Sequence, residues 1–228
     1  MSADGPSYEF PPVALFQTIA LCRQLARPPR LDGRLSDWGE GYLLAPLGEL
    51  VGGEQYARLL MGWDERGLYV AARVHKAEPV VVNRQNPPSG DAIELFVDTR
   101  ASGTSHRATQ FCYHFFALPG GGGADRREAL IWQTPIRRAL RRAPQVESRY
   151  LTVAAQQGED GYGIEIALAA EGLPGFEPRV GARLSVGIIV HDIQRGHQYW
   201  GVSPDFPYAH DPSTWGLVEL VAGPPAEV

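Results

Sequence analysis

The chain has 228 residues, 44% of them hydrophobic and 21% charged, and a formal net charge of −5. Such a chain can bury a core of ordinary size in one large domain, so folding requires neither a metal nor a disulfide staple. The acidic balance speaks against a nucleic-acid partner, whose binding face is basic, and no apolar stretch approaches the length of a membrane span.

At the N-terminus, MSADGPSYEFPP carries no basic segment. The apolar run Val13–Leu21 contains Gln17 and Thr18 and leads into arginines, not into a small-residue cleavage site. This pattern predicts no signal peptide and a cytoplasmic protein, with residues 1–16 as an N-terminal extension. Short runs rich in β-branched and aromatic residues then follow, each bounded by Gly, Pro, Asp or Asn. They predict strands at Gln17–Leu25, Tyr56–Trp63, Leu68–His75, Ala92–Asp98, Thr109–Leu118 and Ala129–Ile136. Further strands are predicted at Tyr150–Ala155, Tyr162–Ala169, Arg183–Ile193, His197–Val202 and Trp215–Val221. Asp64–Gly67 and Glu159–Gly161 read as hairpin turns, and Gly120–Gly123 as a flexible hairpin tip. No long stretch has a 3.6-residue apolar period; only Ala169–Leu173 and Arg137–Arg142 admit a helical turn. The predicted fold is all-β, an antiparallel β-sandwich of jelly-roll type, as a single domain over 17–221 with a C-terminal tail at 222–228.

Period-2 alternation assigns faces. In the fourth predicted strand Ile93, Leu95 and Val97 share the core face, and Glu94, Phe96 and Asp98 the other. In the fifth, Phe111, Tyr113 and Phe115 are predicted core, opposite Gln110, Cys112, His114 and Phe116. The second face mixes polar and aromatic groups, which suits either a ligand-binding surface or a face half-covered by a loop. The two cysteines, Cys22 and Cys112, sit in apolar runs and read as buried free thiols.

Other residue groups invite chemistry. Asp91, Glu94 and Asp98 are paired carboxylates of the kind a glycosidase uses, although carboxylates at strand ends more often cap loops or pair with arginines. Of His106, His114, His191, His197 and His210, only His114 and His191 lie in strands placed to meet, whereas a metal site needs three to converge. Arg137, Arg138, Arg141 and Arg142, with Arg126 and Arg127 upstream, form either a solvated loop or a patch for an acidic partner. The connection from Gln198 to Trp215 is dense in aromatics and prolines. It either builds a site from rigid rings or covers a sheet edge. No phosphate loop, dinucleotide fingerprint or nucleophile elbow is present.

Four groups of segments carry a resemblance: Pro29-Arg30-Leu31-Asp32-Gly33-Arg34-Leu35-Ser36-Asp37-Trp38, Trp63-Asp64-Glu65-Arg66-Gly67-Leu68-Tyr69-Val70, Asp91-Ala92-Ile93-Glu94-Leu95-Phe96-Val97-Asp98, and the closing strands Tyr162–Leu168 and Trp215–Leu220. In order and spacing they are similar to the family 9 carbohydrate-binding modules and the related DOMON-like sandwiches. The resemblance implies a non-catalytic glycan-binding domain in which two tryptophans clamp a sugar ring and polar groups take its hydroxyls. It implies ligand-binding roles for Glu94 and Gln110, with Tyr199 or Trp200 as the second aromatic, and a structural role for Trp63; His114, on the same strand face as Gln110, completes the candidate ligand-binding set. Where one clamping tryptophan would lie, this chain has Asn86, Pro87 and Pro88. That leaves open an alternative, a scaffold or protein-interaction sandwich that has lost the sugar site. No cofactor is implied apart from structural calcium, with Asp32 and Asp37 near the opening motif; a haem held by Met61 and His191 is the remotest reading.

Overall fold

The computed structural model describes residues 19–46 and 54–223. The extension at 1–16, the first two residues of the first predicted strand, and residues 224–228 of the tail lie outside them. The described residues form eleven strands: β1 (Ile19–Gln24), β2 (Ala57–Asp64), β3 (Gly67–His75), β4 (Ala92–Asp98), β5 (Cys112–Gly122), β6 (Glu128–Gln133), β7 (Leu151–Gly158), β8 (Gly161–Ala169), β9 (Arg183–Asp192), β10 (Gly196–Trp200) and β11 (Gly216–Val221). Only isolated 3-10 turns supplement them, one at Ala170–Gly172 as expected. The Arg137–Arg142 segment makes turns, not a helix.

The strands join in the order β6-β5-β4-β9-β11-β1-β2-β3-β8-β7, and β10 adds to β9. All pairings are antiparallel except those of β1, which runs parallel to both β11 and β2. Contacts of β5 and β6 with β7 bring the two ends of the sheet together, so one curled sheet makes both layers of a sandwich. Between the layers lie Ile93, Leu95 and Val97 of β4, Tyr113 and Phe115 of β5, and Trp63, Leu68, Ile166 and Ile188, all in one apolar cluster.

Local rules explain the motifs that flank this core. Gly33 sits at φ +78°, and a Cβ there would strike the backbone of Ala155 and Gln156, so only glycine lets the opening loop lie against β7. That loop is locked by Glu165 of β8. Its Oε2 accepts the Asp32 and Gly33 amides (2.9 and 2.6 Å) and its Oε1 accepts the Trp38 indole N–H (2.8 Å). Asp64 Oδ1 accepts the Arg66 and Gly67 amides and tightens the β2–β3 turn. Trp63 is 2% exposed, and its indole N–H reaches the Val221 carbonyl (3.0 Å), pinning β2 to the end of β11.

Two expectations need correction. Phe111 is half-buried, not core. The chain turns at Thr109–Cys112, where the Cys112 amide donates to the Thr109 carbonyl (3.1 Å). Strand alternation therefore begins only at Cys112 and does not extend back to Phe111. Gly120–Gly122 are buried strand residues rather than a flexible tip. The register shifts between Leu118 and Gly122, and Gly121 at φ +95° supplies the left-handed residue this bulge requires.

On the outer side of β4, β5 and β9, one end is closed. Phe96, Cys112 and Ile189 pack there against Ala108, Ile136, Val202 and Trp215 from loops. The other end of the same face carries the polar residues.

Candidate functional site

Residues directly opposite across a pleated sheet share a face. Glu94 lies opposite Phe116 and Ile189, and His114 opposite Phe96. On β9 and β10, His191 pairs with Ala92 and with His197, and Tyr199 with Ile189. Glu94, His114, Phe116, His191, His197 and Tyr199 therefore share the outer face. Trp132 of β6, opposite Phe116, extends it, and Tyr208 closes over it, 6.0 Å from the Tyr199 ring centre.

Glu94 is the hub. It is 7% exposed, and each carboxylate oxygen bonds a histidine: Oε1 with His114 Nε2 at 2.7 Å, Oε2 with His191 Nε2 at 2.9 Å. Burial pushes the Glu94 carboxyl upward, but the bonds from His114 and His191 and their charge outweigh it and hold the group at about 2. Because a carboxylate only accepts, both imidazole Nε2 atoms must carry protons. The His191 Nδ1 and His197 Nδ1 lie 2.8 Å apart, so one of them donates and the other accepts. His197 is exposed on β10, and its Nε2 is the ring nitrogen not used in this contact. Burial, and next the charge of His191, keep His197 below the ordinary histidine value. His114 is further fixed by stacking on Phe96 (4.1 Å, 14°). The result is a relay of Glu94 and three imidazoles beside the rings of Phe116, Trp132, Tyr199 and Tyr208, able to exchange hydrogen bonds with hydroxyls and to stack an apolar ring face.

The structure brings Glu94, His114 and Tyr199 of the expected set together, and adds His191, His197, Phe116, Trp132 and Tyr208. Gln110 and Trp200 do not join them. Gln110 precedes β5 and accepts a bond from Arg141 Nη1 (2.9 Å) beside a groove at the sheet end. Trp200 lies opposite Ile188 and so faces the core. It is 4% exposed, and its indole N–H donates to the Ala45 carbonyl (3.1 Å), walling a cavity of about 190 Å³ with Tyr56, Leu59 and Gln198. Hairpin arithmetic could have found His197, since the turn after Asp192 places it opposite His191. Trp132 and Tyr208 carry no such local signal.

The neighbouring carboxylates are otherwise engaged. Asp91 and Asp192 clamp the fully buried Lys76 ammonium, with Nζ 2.7 Å from Asp91 Oδ1 and 3.2 Å from Asp192 Oδ2. Asp98 caps the Arg100 and Ser102 amides. Asp32 and Asp37 accept the amides of Arg34 and Arg30. Met61 faces the core and His191 the outer side, so they do not form a pair. Among the described residues, no group of three or more His, Cys, Asp or Glu is arranged to hold a metal ion. His106, Asp211 and Ser213 touch one another, but Asp211 and Ser213 both contact the same imidazole nitrogen, Nδ1. A catalytic triad needs its nucleophile and its orienting acid on opposite ring nitrogens.

The fold has solved counterparts. A family 9 carbohydrate-binding module from Caldicellulosiruptor kristjanssonii, in complex with cellotriose, superposes with a TM-score of 0.65 at 16% identity, over 92% of this chain and 97% of that one. The same organism's module in complex with glucose gives 0.63 at 16% identity, over 91% and 98%. At this identity these likenesses speak for the fold. No curated protein matches the chain. The family model described as carbohydrate family 9 binding domain-like matches residues 54–223, from just before β2 to just past β11, and the chain belongs to that family.

Proposed function

We propose that this protein is a non-catalytic glycan-binding module whose sugar site is the polar end of the outer sheet face. The observation that carries the reading is Glu94, a buried carboxylate oriented by two imidazoles and ringed by Phe116, Trp132, Tyr199 and Tyr208. Sugar C–H groups stack on the rings, and hydroxyls bond His197 Nε2, the tyrosine hydroxyls and the remaining lone pairs of Glu94. The saccharide complexes of the fold's solved counterparts lend support.

A second reading, a scaffold without a sugar site, is favoured by one observation: in place of the implied clamping tryptophan stands Pro87, buried in the turn Pro87–Ser89. Titration calorimetry against mono- and oligosaccharides, including glucose and cellotriose, separates the two. Binding of at least millimolar affinity, about 4 kcal/mol, which falls tenfold or more in Trp132→Ala or Tyr199→Ala, is the expected result. No heat with any sugar from folded wild-type protein selects the scaffold.

A further inference from the structure

In an acidic protein, six arginines gather in two neighbouring loops: Arg100, Arg107, Arg137, Arg138, Arg141 and Arg142, all exposed. Among the described residues, none has a carboxylate within ion-pair distance, whereas Arg58, Arg73, Arg149, Arg183 and Arg195 do. Polar contacts tie the two loops together. Arg107 Nε donates to the Arg138 carbonyl (3.0 Å), the Leu140 amide to the Ala108 carbonyl (2.7 Å), and Arg141 Nη1 to Gln110 Oε1 (2.9 Å). The Arg100 guanidinium sits 5.0 Å from the Phe111 ring centre. Phe111, Gln110 and Arg142 line one groove of about 420 Å³. Arg138 adopts a left-handed backbone (φ 57°) that a non-glycine residue rarely takes.

The arginine loop follows directly on a segment that packs on the same outer face as the candidate sugar site. The Thr134 amide donates to the His114 carbonyl (2.8 Å), and Ile136 is buried against the outer face. Arg137 and Arg138 follow at once. Guanidinium groups gathered without counter-charge repel one another, and a ligand bringing anions relieves this. Planar guanidinium forks match carboxylate and sulfate oxygens in pairs.

We infer that the ligand is an anionic polysaccharide, bearing uronate carboxylates or sulfates, whose charges engage this arginine strip while a sugar ring stacks on the outer-face rings. The inference rests on the glycan-binding reading above and names its ligand class. A uronate and a sulfate present the same oxyanion chemistry and are separated by the probe.

The test measures affinity of the whole chain for polygalacturonate, for dextran sulfate, and for the neutral polymers methyl-esterified polygalacturonate and dextran, at low and high salt. The wild type and the triple variant Arg137→Ser/Arg141→Ser/Arg142→Ser, which leaves the strained Arg138 in place, are compared after matching their melting temperatures. The expected result is at least tenfold tighter binding to one acidic polymer than to its neutral counterpart, weakening with salt. The variant should lose that margin. Equal affinity for acidic and neutral polymers, or a margin the variant retains, overturns the inference and leaves the glycan-binding reading standing. Single-stranded DNA bound as tightly as the acidic polymers also overturns it. Failure of every polymer and oligosaccharide to bind removes both.

Discussion

Glu165 and Glu94 are both buried carboxylates in mid-strand, yet they serve opposite purposes. Glu165 of β8 accepts two backbone amides and an indole N–H, donors that hold their protons at every accessible pH. It locks the opening loop to the sandwich. Glu94 of β4 accepts from two imidazoles, a titratable kind of donor, and the second contacts a third on the rim. Partners, not burial, decide whether an acid is a rivet or a responsive surface.

The largest expected effect tests the rivet. Glu165→Ala leaves three donors without an acceptor in a space that water does not reach freely. At about 1–3 kcal/mol for each orphaned donor, the loss is on the order of 5 kcal/mol in denaturant unfolding. A loss under about 1 kcal/mol would mean that the opening loop is not docked as described. Next comes Trp200→Ala, at about 3–5 kcal/mol. Because Trp200 faces the core, its removal should lower the melting temperature while folded protein still binds the ligand. Ligand loss in a variant that melts like wild type would return Trp200 to the binding surface.

The third prediction tests the responsive acid. The folded Glu94 carboxyl stands at about 2 against an ordinary 4.5, so its stabilisation is fully present above pH 4.5 and is lost as pH falls towards 2. At about 1.36 kcal/mol for each pKa unit, about 3 kcal/mol is at stake. Glu94→Gln should flatten the wild-type fall in stability between those pH values, and a variant curve parallel to wild type would break the assignment. The smallest effect belongs to His197. Its folded value lies below 6.5, so protonation favours the unfolded chain and stability declines as pH drops through that value. His197→Asn should change neutral-pH stability by less than about 1 kcal/mol, as expected at an exposed position, while removing this part of the acid sensitivity. An NMR titration in which the His197 imidazole protonates above pH 6.5 would contradict it.

Much of the fold was legible because strand signals are local. Alternation, β-branched runs and Gly- or Asp-centred turns repeat within a few residues, so Ala92–Asp98 and, to within one residue of the observed end at Asp192, Arg183–Ile193 could be placed without knowing their partners. The alternation of β4 also put Glu94 and Phe96 on one face. Nearby signals failed where the chain leaves the strand early, as at Gln110 and Phe111, or where an irregularity shifts the pairing, as at Gly120–Gly122.

The site was legible only in part, because alternation distinguishes two faces without saying which is open. In β4 both faces are buried, one by the opposite layer and one by loops from distant parts of the chain. For Tyr199 and Trp200 the sequence established only that the two rings point apart. That Trp200 fills the core and Tyr199 the outer face followed from the pairing of β10 with β9, a long-range register. The sequence by itself determined the strands, the turns and the family motifs, because each depends on steric and hydrogen-bonding preferences within a few residues. Only the tertiary structure decided that Glu94, His114, His191 and His197 form one relay under Trp132 and Tyr208. Six separate segments meet there, and their contacts depend on strand order and sheet curl, which no local pattern encodes.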